Sequence, residues 1–178
     1  MTNKNLESSI LFAPLNKCAR IPSKRLEDAG YDIYAILPEN QKYKVLEPHT
    51  TDMFNTGICS AFSSKYVAIL KERGSTGTKG IGQRSGVIDS GYRGEWLVPL
   101  TNENSIPIIF GIYDSKEDFL KDNSDYVDKA FVFYPLSKAV AQAVFVEVPV
   151  LDVVETTVDT ILSLKSERLD GKLGSSNK

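Results

Sequence analysis

The chain has 178 residues and a mass of 19.7 kDa, which fits one domain, since two separate cores of half this size would each be marginally stable. Apolar residues make up 42% and charged residues 25% of the chain, so the composition allows a packed core and excludes a disordered protein. The 21 basic and 23 acidic side chains give a net charge of -2, which excludes a global field that attracts nucleic acid.

Cysteine and histidine usage and the distribution of apolar residues exclude further classes. Cys18 and Cys59 are too few for a disulfide scaffold, and with the single His49 they do not make a structural zinc site, so we expect reduced thiols. Residues 1–9 lack an apolar signal core, and polar residues interrupt the most apolar stretch, 139–154. We therefore expect a cytoplasmic protein that associates with neither membranes nor nucleic acid.

Short runs of β-branched and aromatic residues, separated by Gly, Pro, Asn and Asp, follow one another along most of the chain. This spacing is typical of strands joined by turns. We expect strands at residues 10–15, 31–37, 43–46, 52–62, 66–71, 86–88, 92–101, 107–113, 131–134 and 140–148. So many short strands predict an all-β sandwich, barrel or jelly roll.

Residues 114–129 interrupt the strand pattern with six acidic side chains and three lysines. Ser115 followed by Asp118 approximates an N-terminal capping box. Apolar residues recur there at helical spacing: Phe119, Leu120, Tyr126 and Val127. We predict one short amphipathic helix, which either packs over the β domain or serves as a partner-binding insert.

The run at residues 72–80, Glu-Arg-Gly-Ser-Thr-Gly-Thr-Lys-Gly, is the densest group of residues suited to anion binding. Glycines let backbone N–H groups turn toward a ligand, hydroxyls add donors, and the Arg73 guanidinium matches a phosphate bidentately. The run lacks the spacing of a Walker loop. From these residues alone, a phosphate-binding loop and an ordinary turn both remain open.

A second group, residues 86–95, reads Gly-Val-Ile-Asp-Ser-Gly-Tyr-Arg-Gly-Glu. Its apolar run, its Asp-Ser-Gly turn and the strand that we expect from Tyr92 predict a β-hairpin with Asp89 at the bend. Considered alone, Asp89 is best interpreted as bonding to turn amides and Tyr92 as a packing residue.

Five segments nevertheless resemble, in order, the motifs of the trimeric dUTP diphosphatase (dUTPase) family. They are residues 29–35 (Ala-Gly-Tyr-Asp-Ile-Tyr-Ala), 73–80, 86–95, 139–143 (Ala-Val-Ala-Gln-Ala) and 168–176 (Arg-Leu-Asp-Gly-Lys-Leu-Gly-Ser-Ser). The resemblance implies an all-β, jelly-roll-like dUTPase domain at residues 1–165 that forms a homotrimer with sites at the subunit interfaces. It also implies a mobile glycine- and serine-rich tail, 166–178, that closes over a neighbouring active site.

The same resemblance implies Mg2+-dependent hydrolysis of dUTP to dUMP and pyrophosphate, which keeps uracil out of DNA and supplies dUMP. Asp89 would be the general base for attack of water on the α-phosphorus, and Asp32 would hold Mg2+ through water together with the substrate phosphates. Tyr92 would lie against the deoxyribose. The implied substrate contacts are Arg73, Gly74, Ser75, Gly86, Ile88, Tyr92, Gln142, Arg168, Gly174, Ser175 and Ser176.

The chain also departs from the family pattern. Gly74 stands where a serine is common, with the hydroxyl moved to Ser75, and Ala139 stands where an arginine is usual. In the fifth motif, two glycines and the aromatic residue that would cover the uracil are replaced by Leu169, Lys172 and Leu173. These changes predict one missing cation and a lid that stacks less well on the base.

Residues 102–138, which contain the predicted helix, look longer than the corresponding stretch of most relatives. Some phage-borne relatives use an insert at this place to contact regulatory proteins, which predicts a protein partner here as a second hypothesis. Two alternative functions therefore stay open, a regulatory partner-binding protein of the same fold and a dCTP deaminase. The Asp-x-x-Tyr-Arg-Gly segment favours the diphosphatase over the deaminase.

Overall fold

The computed structural model describes residues 7–166, most of which form short strands and the turns between them. The chain divides into two units, residues 1–148 and 149–178. The first unit contains every strand found among the described residues. Its strands in chain order are β1 (Leu11–Pro14), β2 (Tyr31–Ile33), β3 (Tyr43–Leu46), β4 (Thr51–Asn55), β5 (Ile58–Ala61), β6 (Tyr66–Lys71), β7 (Ile81–Gln83), β8 (Val87–Ile88), β9 (Leu97–Asn102), β10 (Ile108–Gly111), β11 (Val132–Pro135) and β12 (Ala141–Glu147).

These strands form four small sheets, so the predicted all-β, jelly-roll-like fold is confirmed. The sheet that carries most of the candidate site residues has the order β2-β12-β6-β8, with antiparallel pairing throughout. The other sheets are β1-β5, β4-β9-β7 and β11-β10-β3, and only the β10–β11 pair among them is parallel.

The main core lies between the sheets and is built from aromatic and branched side chains. Trp96, at its centre, is fully buried and donates from Nε1 to the Ser60 hydroxyl at 3.0 Å. Thr56 donates to the Trp96 carbonyl at 2.7 Å, and the buried Asn102 amide donates to the carbonyls of Leu46 and Ile106. Buried polar groups are tolerated in this core because each has a hydrogen-bond partner.

The predicted helix is confirmed as α2 (Lys116–Asp122), followed by a 3-10 turn at Ser124–Tyr126. The Ser115 hydroxyl caps it by accepting from the Asp118 N–H at 3.0 Å. Strands β10 and β11 are parallel, and a parallel pair needs a crossover, which residues 112–131 provide.

An aromatic cluster fixes this crossover to the sheet. Phe119 is fully buried. Five rings surround it at centroid distances of 5.2 to 5.7 Å, those of Tyr43, Tyr113, Tyr126, Phe131 and Phe133. The helix therefore packs on the β domain, as the first of its two interpretations expects, and its role toward a partner stays a prediction.

Two local expectations about strands were wrong, and two short elements were not expected. The single strand expected at 52–62 divides into β4 and β5, because Gly57 turns the chain with a φ of +68°. The hairpin expected from residues 86–95, with Asp89 at its bend, does not form, because β8 pairs with β6 whereas β9 pairs with β4 and β7. Strand β7 and the one-turn helix α1 (Gly74–Gly77) had no counterpart in the prediction.

In the second unit, the structure describes residues 149–166. It contains one short helix, α3 (Val158–Ser163), which begins where the Thr157 hydroxyl accepts from the Thr160 N–H at 3.2 Å. Of the tail expected at 166–178, only Ser166 belongs to the described residues. Across residues 7–166, the helices are all too short or too polar to cross a membrane.

Candidate functional site

An open cavity of about 710 Å³ brings together residues from three of the five motifs. We call it the polar cavity, because most of its lining side chains are charged or hydrogen-bonding. Its lining residues are Ser23, Lys24, Arg25, Asp28, Ala29, Gly30, Asp32, Arg73, Gly74, Ser75 and Gln142. Three of these are cations and two are carboxylates, so the lining carries a net positive charge that suits an anionic ligand.

Strand pairing places Asp32 beside Gln142. The two residues are directly opposite each other in the antiparallel β2–β12 ladder, so their side chains share one face of the sheet. The Gln142 amide also donates to the Glu72 carbonyl at 2.8 Å, just before Arg73. Gly30 is required by this arrangement, because a Cβ at that position would lie 2.5 Å from Gln142 Oε1.

The loop that carries Arg73 is fastened by a buried threonine. The Arg73 N–H donates to Thr76 Oγ1 at 3.0 Å, and the same hydroxyl lies 2.9 Å from the Arg73 carbonyl, to which it donates. By contrast, a Cβ at Gly74 or Gly77 would meet no atom within 4 Å. Of the two, Gly74 lines the polar cavity, so the missing side chain there leaves the loop backbone open to the cavity.

Arg73 and Asp32 form a two-point ion pair on the cavity wall. Arg73 Nε lies 2.9 Å from Asp32 Oδ1, and Arg73 Nη2 donates to Asp32 Oδ2 at 3.3 Å. The third guanidinium nitrogen, Nη1, donates to the Ser75 hydroxyl at 3.4 Å. Because both charged side chains remain about 30% exposed, the pair is worth only about 0–1 kcal/mol, and a phosphate can take over the guanidinium.

A second ion pair on the cavity wall was not anticipated from the sequence. Arg25 holds Asp28 through two contacts, Nε to Oδ2 at 2.9 Å and Nη2 to Oδ1 at 3.1 Å. The hydrogen bond from Arg25 lowers the pKa of the Asp28 carboxyl. Lys24 Nζ lies above the Tyr31 ring, 5.5 Å from its centroid. The adjacent cations Lys24 and Arg25, just before the first motif, were the signal in the sequence for this part of the wall.

Glu72 also supports the loop, although no motif contains it. Its carboxylate accepts from the Gln83 N–H at 3.1 Å and so joins the end of β6 to β7. Hydrogen bonds from its own N–H and from that of Gln83 lower the pKa of the Glu72 carboxyl. The carboxylate therefore stabilises the base of the loop in its ionised form.

The third-motif residues lie outside the polar cavity of the same chain. Ile88 is opposite Ala68 in the β6–β8 pair, so the continued register puts Asp89 opposite Val67. Val67 is four residues from Lys71, which corresponds to roughly 13 Å along a strand. The structure therefore does not bring Asp89 next to Arg73 within one chain.

Gly86 and Tyr92 flank Asp89 in a compact turn. Gly86 has a φ of +111°, its carbonyl accepts from the Leu70 N–H at 2.7 Å, and a Cβ there would lie 2.8 Å from Leu70 Cβ. The Tyr92 N–H donates to the Asp89 carbonyl at 3.0 Å, and the Tyr92 hydroxyl donates to the Glu95 carbonyl at 3.0 Å. Asp89 and Tyr92 are both exposed, Tyr92 to 43%.

Two further expectations concern the fourth and fifth motifs. Ala139 is only 2% exposed, so the position where an arginine is usual is occupied here by a buried small residue. The fifth-motif residues lie outside the described part of the chain; they are Arg168, Leu169, Lys172, Leu173, Gly174, Ser175 and Ser176.

Comparisons with known proteins agree on one family. The dUTPase family model matches residues 16–114. Over 97 residues the chain is 38% identical to the deoxyuridine 5'-triphosphate nucleotidohydrolase of Leptospira interrogans, a match that covers 52% of this chain and 65% of that relative. The chain thus spans a little less than two thirds of the length of that relative.

Solved structures share the fold at lower identity. A variant of the Staphylococcus bacteriophage 80alpha dUTPase with dUpNHpp has a TM-score of 0.65 at 24% identity, covering 95% of this chain and 98% of that one. A dUTPase variant from phage phi11 of S. aureus, which coordinates a structural Mg(II) ion, has a TM-score of 0.61 at 19% identity. That match covers 83% of this chain and 96% of the phage protein.

Proposed function

The chain belongs to the dUTPase family, and from that premise we propose that it hydrolyses dUTP to dUMP and pyrophosphate. The observation that carries the proposal is the polar cavity, where Asp32, Arg73, Ser75 and Gln142 converge with a net positive lining. A triphosphate brings several negative charges to one place, and catalysis of its hydrolysis depends mainly on positioning and on stabilising that charge.

We propose that Arg73 is the principal phosphate-binding residue. Its guanidinium already presents a planar fork to a carboxylate, and a phosphate oxygen pair fits the same fork. The open backbone at Gly74 gives N–H groups access to the ligand, as in other concave anion sites. Gln142, half-buried beside Asp32, is proposed to contact a phosphate oxygen or the attacking water.

We propose Mg2+ as the cofactor, held by Asp32 through water together with substrate phosphates. Within residues 7–166, no cluster of three or more His, Cys, Asp or Glu side chains could hold a metal ion by itself. A single partly exposed carboxylate nevertheless suits Mg2+, which keeps several waters and prefers phosphate oxygens to an all-protein cage. When bound, Mg2+ neutralises charge that develops on the phosphate oxygens.

The proposed general base is Asp89, acting on the water that attacks the α-phosphorus. Because Asp89 lies far along β6 from the polar cavity of its own chain, we propose that a neighbouring copy in a homotrimer supplies it. Gly86, Ile88 and Tyr92 would come with it and contact the uracil and deoxyribose. A ribose 2'-hydroxyl would then collide with the Tyr92 ring, which is the proposed basis for rejecting UTP.

The tail contacts remain part of the proposal. Arg168 would add a second guanidinium to the phosphates, and Gly174, Ser175 and Ser176 would add backbone and hydroxyl donors. For the insert at 102–138, the aromatic side of the helix is packed against the domain, so a partner protein would meet its acidic side instead.

Product analysis tests the proposed function against the deaminase and the non-enzymatic alternatives. Pyrophosphate and ammonia are measured with dUTP, dCTP, dTTP and UTP in the presence of Mg2+. We expect pyrophosphate from dUTP, with much lower rates for the other nucleotides and no ammonia. Ammonia release from dCTP would identify a deaminase, and no turnover of any of the four would favour the regulatory protein.

A further inference from the structure

The segment of residues 23–28, just before the first motif, forms one wall of the polar cavity and has no role yet in the proposed chemistry. Four of its residues line the cavity, namely Ser23, Lys24, Arg25 and Asp28. An antiparallel bridge fastens the segment to β2, because the Ser23 carbonyl accepts from the Asp32 N–H at 2.9 Å. The segment is therefore placed beside the residues that the first motif brings to the cavity.

The bridge extends one row of side chains across the sheet. Asp32 is opposite Ser23 on one side and opposite Gln142 on the other, and side chains directly opposite each other share a face. Ser23 and Gln142 are two strand spacings apart, which corresponds to roughly 10 Å. A single phosphate group cannot reach both ends of this row, whereas a chain of phosphates can.

The net positive charge of the cavity lining comes from this segment. Among the motif residues of the lining, Arg73 is paired with Asp32, so their charges cancel. In the segment, Arg25 is paired with Asp28 through two contacts of 2.9 Å and 3.1 Å. Lys24 forms no ion pair within residues 7–166, and its ammonium donates instead to two main-chain carbonyls of the adjacent turn, at 3.3 Å and 3.4 Å. Lys24 is therefore the cation that remains available to an anionic ligand.

Asp28 fixes the position of Arg25 on the cavity wall. The Asp28 carboxylate accepts from the main-chain N–H of Arg25 at 3.3 Å, and the Asp28 N–H donates to the Arg25 carbonyl at 3.2 Å. The same carboxylate engages Nε and Nη2 of the guanidinium, which leaves Nη1 for a ligand. The Arg25 side chain is 89% exposed, so a phosphate can reach this nitrogen.

We propose that Lys24 and Arg25 bind the terminal phosphate of the substrate. Gln142 already has a proposed role at a phosphate oxygen or the attacking water, and the two cations follow Ser23 on the opposite side of Asp32. Their end of the row is left for the part of the phosphate chain that is furthest from the reacting phosphorus. Lys24 supplies charge there, and Arg25 supplies a directed donor. The inference rests on the proposed function, since it takes a nucleoside triphosphate as the ligand of the polar cavity.

The test compares two double variants of the full-length protein. The neutral variant, Lys24→Gln/Arg25→Gln, removes both charges, and the swapped variant, Lys24→Arg/Arg25→Lys, keeps them. With Mg2+ present, calorimetry measures binding of the triphosphate analogue dUpNHpp and of the monophosphate dUMP, and steady-state kinetics give KM and kcat for dUTP. The neutral variant should weaken dUpNHpp binding and raise KM by about tenfold, the usual effect of lost hydrogen bonds to a charged group, with kcat little changed. Binding of dUMP should change by less than about twofold, because dUMP has no terminal phosphate to lose these hydrogen bonds. The swapped variant keeps the charge and changes only the donor geometry, so its dUpNHpp binding should weaken by less than about threefold.

Lys17→Gln/Arg20→Gln is the matched control, because it removes two positive charges from the same part of the chain but outside the polar cavity. Lys17 pairs with Glu39 at 2.7 Å, and Arg20 donates to the Ser137 carbonyl at 3.0 Å. The control should leave the kinetics and the binding of both nucleotides unchanged. Thermal unfolding checks that each variant is folded, and if the neutral variant is not, Lys24→Gln alone must still weaken dUpNHpp binding more than dUMP binding.

Four results would overturn the inference. They are wild-type dUpNHpp binding in the folded neutral variant, equal weakening of dUpNHpp and dUMP, equal weakening in the neutral and swapped variants, and equal weakening in the control. Wild-type protein that binds no dUpNHpp would also overturn it. If the wild type hydrolyses dUTP and the neutral variant has the same KM, the proposed function stands and the inference fails. If the wild type releases no pyrophosphate from dUTP, the proposed function fails, while selective loss of dUpNHpp binding in the neutral variant still supports the inference.

Discussion

The polar cavity and the aromatic cluster around Phe119 belong to the same β domain but are built in opposite ways. The cavity wall consists of ion pairs and hydrogen bonds between partly or largely exposed side chains, next to Gly74, which has open space around it. The cluster places one fully buried ring among five others. Exposed ion pairs contribute little to stability, whereas buried aromatic contacts contribute much. Stability and ligand binding should therefore respond to separate sets of substitutions.

The largest expected effect is on stability and comes from the aromatic cluster. Phe119→Ala removes the central ring and should lower the free energy of unfolding by about 3–5 kcal/mol, as measured by denaturant unfolding. The exposed Glu117→Ala, on the same helix, should change it by less than about 0.5 kcal/mol. A small change in the free energy of unfolding for Phe119→Ala would mean that the crossover is a detachable surface module. The aromatic cluster would then contribute no more to stability than the polar cavity does.

The second effect concerns catalysis alone. Asp89→Asn keeps the shape of the side chain and removes the proposed base, so turnover of dUTP should fall by at least about a hundredfold. Nucleotide affinity and the unfolding midpoint should stay close to those of the wild type, because Asp89 is exposed. If affinity fell in parallel with turnover, Asp89 would instead be a structural or binding residue.

A third substitution tests the fork geometry of the cavity. Arg73→Lys keeps the charge and loses the two-point contact, so KM for dUTP should rise about tenfold with little change in stability. Arg84→Lys is the matched control, since Arg84 pairs with Glu103 at 2.8 Å and does not line the cavity. Equal effects of the two variants on KM would show that Arg73 has no special role.

The smallest expected effect is pH-dependent. The pKa of Glu72 in the folded protein is lowered by hydrogen bonds from its own N–H and that of Gln83, so its ionised form stabilises the fold. This contribution to stability is fully present at pH values above 4.5, the ordinary pKa of a glutamate. It is lost as the pH falls through the lowered pKa of Glu72 in the folded protein. The stability difference between wild type and Glu72→Gln should therefore be largest near neutral pH, under about 1 kcal/mol, and should shrink below pH 4.5. The variant Glu27→Gln, at an exposed glutamate, provides the baseline. A stability difference between wild type and Glu72→Gln that stays constant across pH would contradict a stabilising role of the Glu72 carboxylate.

The two regions also differ in how far the sequence predicts them. The helix at α2 was predictable because Ser115 and the apolar spacing are local signals. Residues of the second motif were predictable because glycine, hydroxyl and arginine in one run suit an anion. Most strands were predictable because β-branched and aromatic runs alternate with turn residues.

Non-local pairing was not predictable in the same way. Strand β8 pairs with β6 and not with β9, which follows it in the sequence, and no local sequence pattern encodes this pairing. Lys24 and Arg25 gave a local signal, but only the structure shows that they share a cavity with Arg73.

We propose that each active site takes Arg73 from one chain and Asp89 from a neighbouring chain. Inactive Asp89→Asn protein is mixed in equal amounts with inactive Arg73→Ala protein under conditions that exchange subunits, and mass spectrometry confirms the exchange. If the two groups come from different chains of a trimer, each is intact with a chance of one half, so activity should recover to about a quarter of the wild-type value. If both groups come from one chain, every site lacks one of them and activity stays absent. Absence of recovery after confirmed exchange would therefore contradict a site shared between chains.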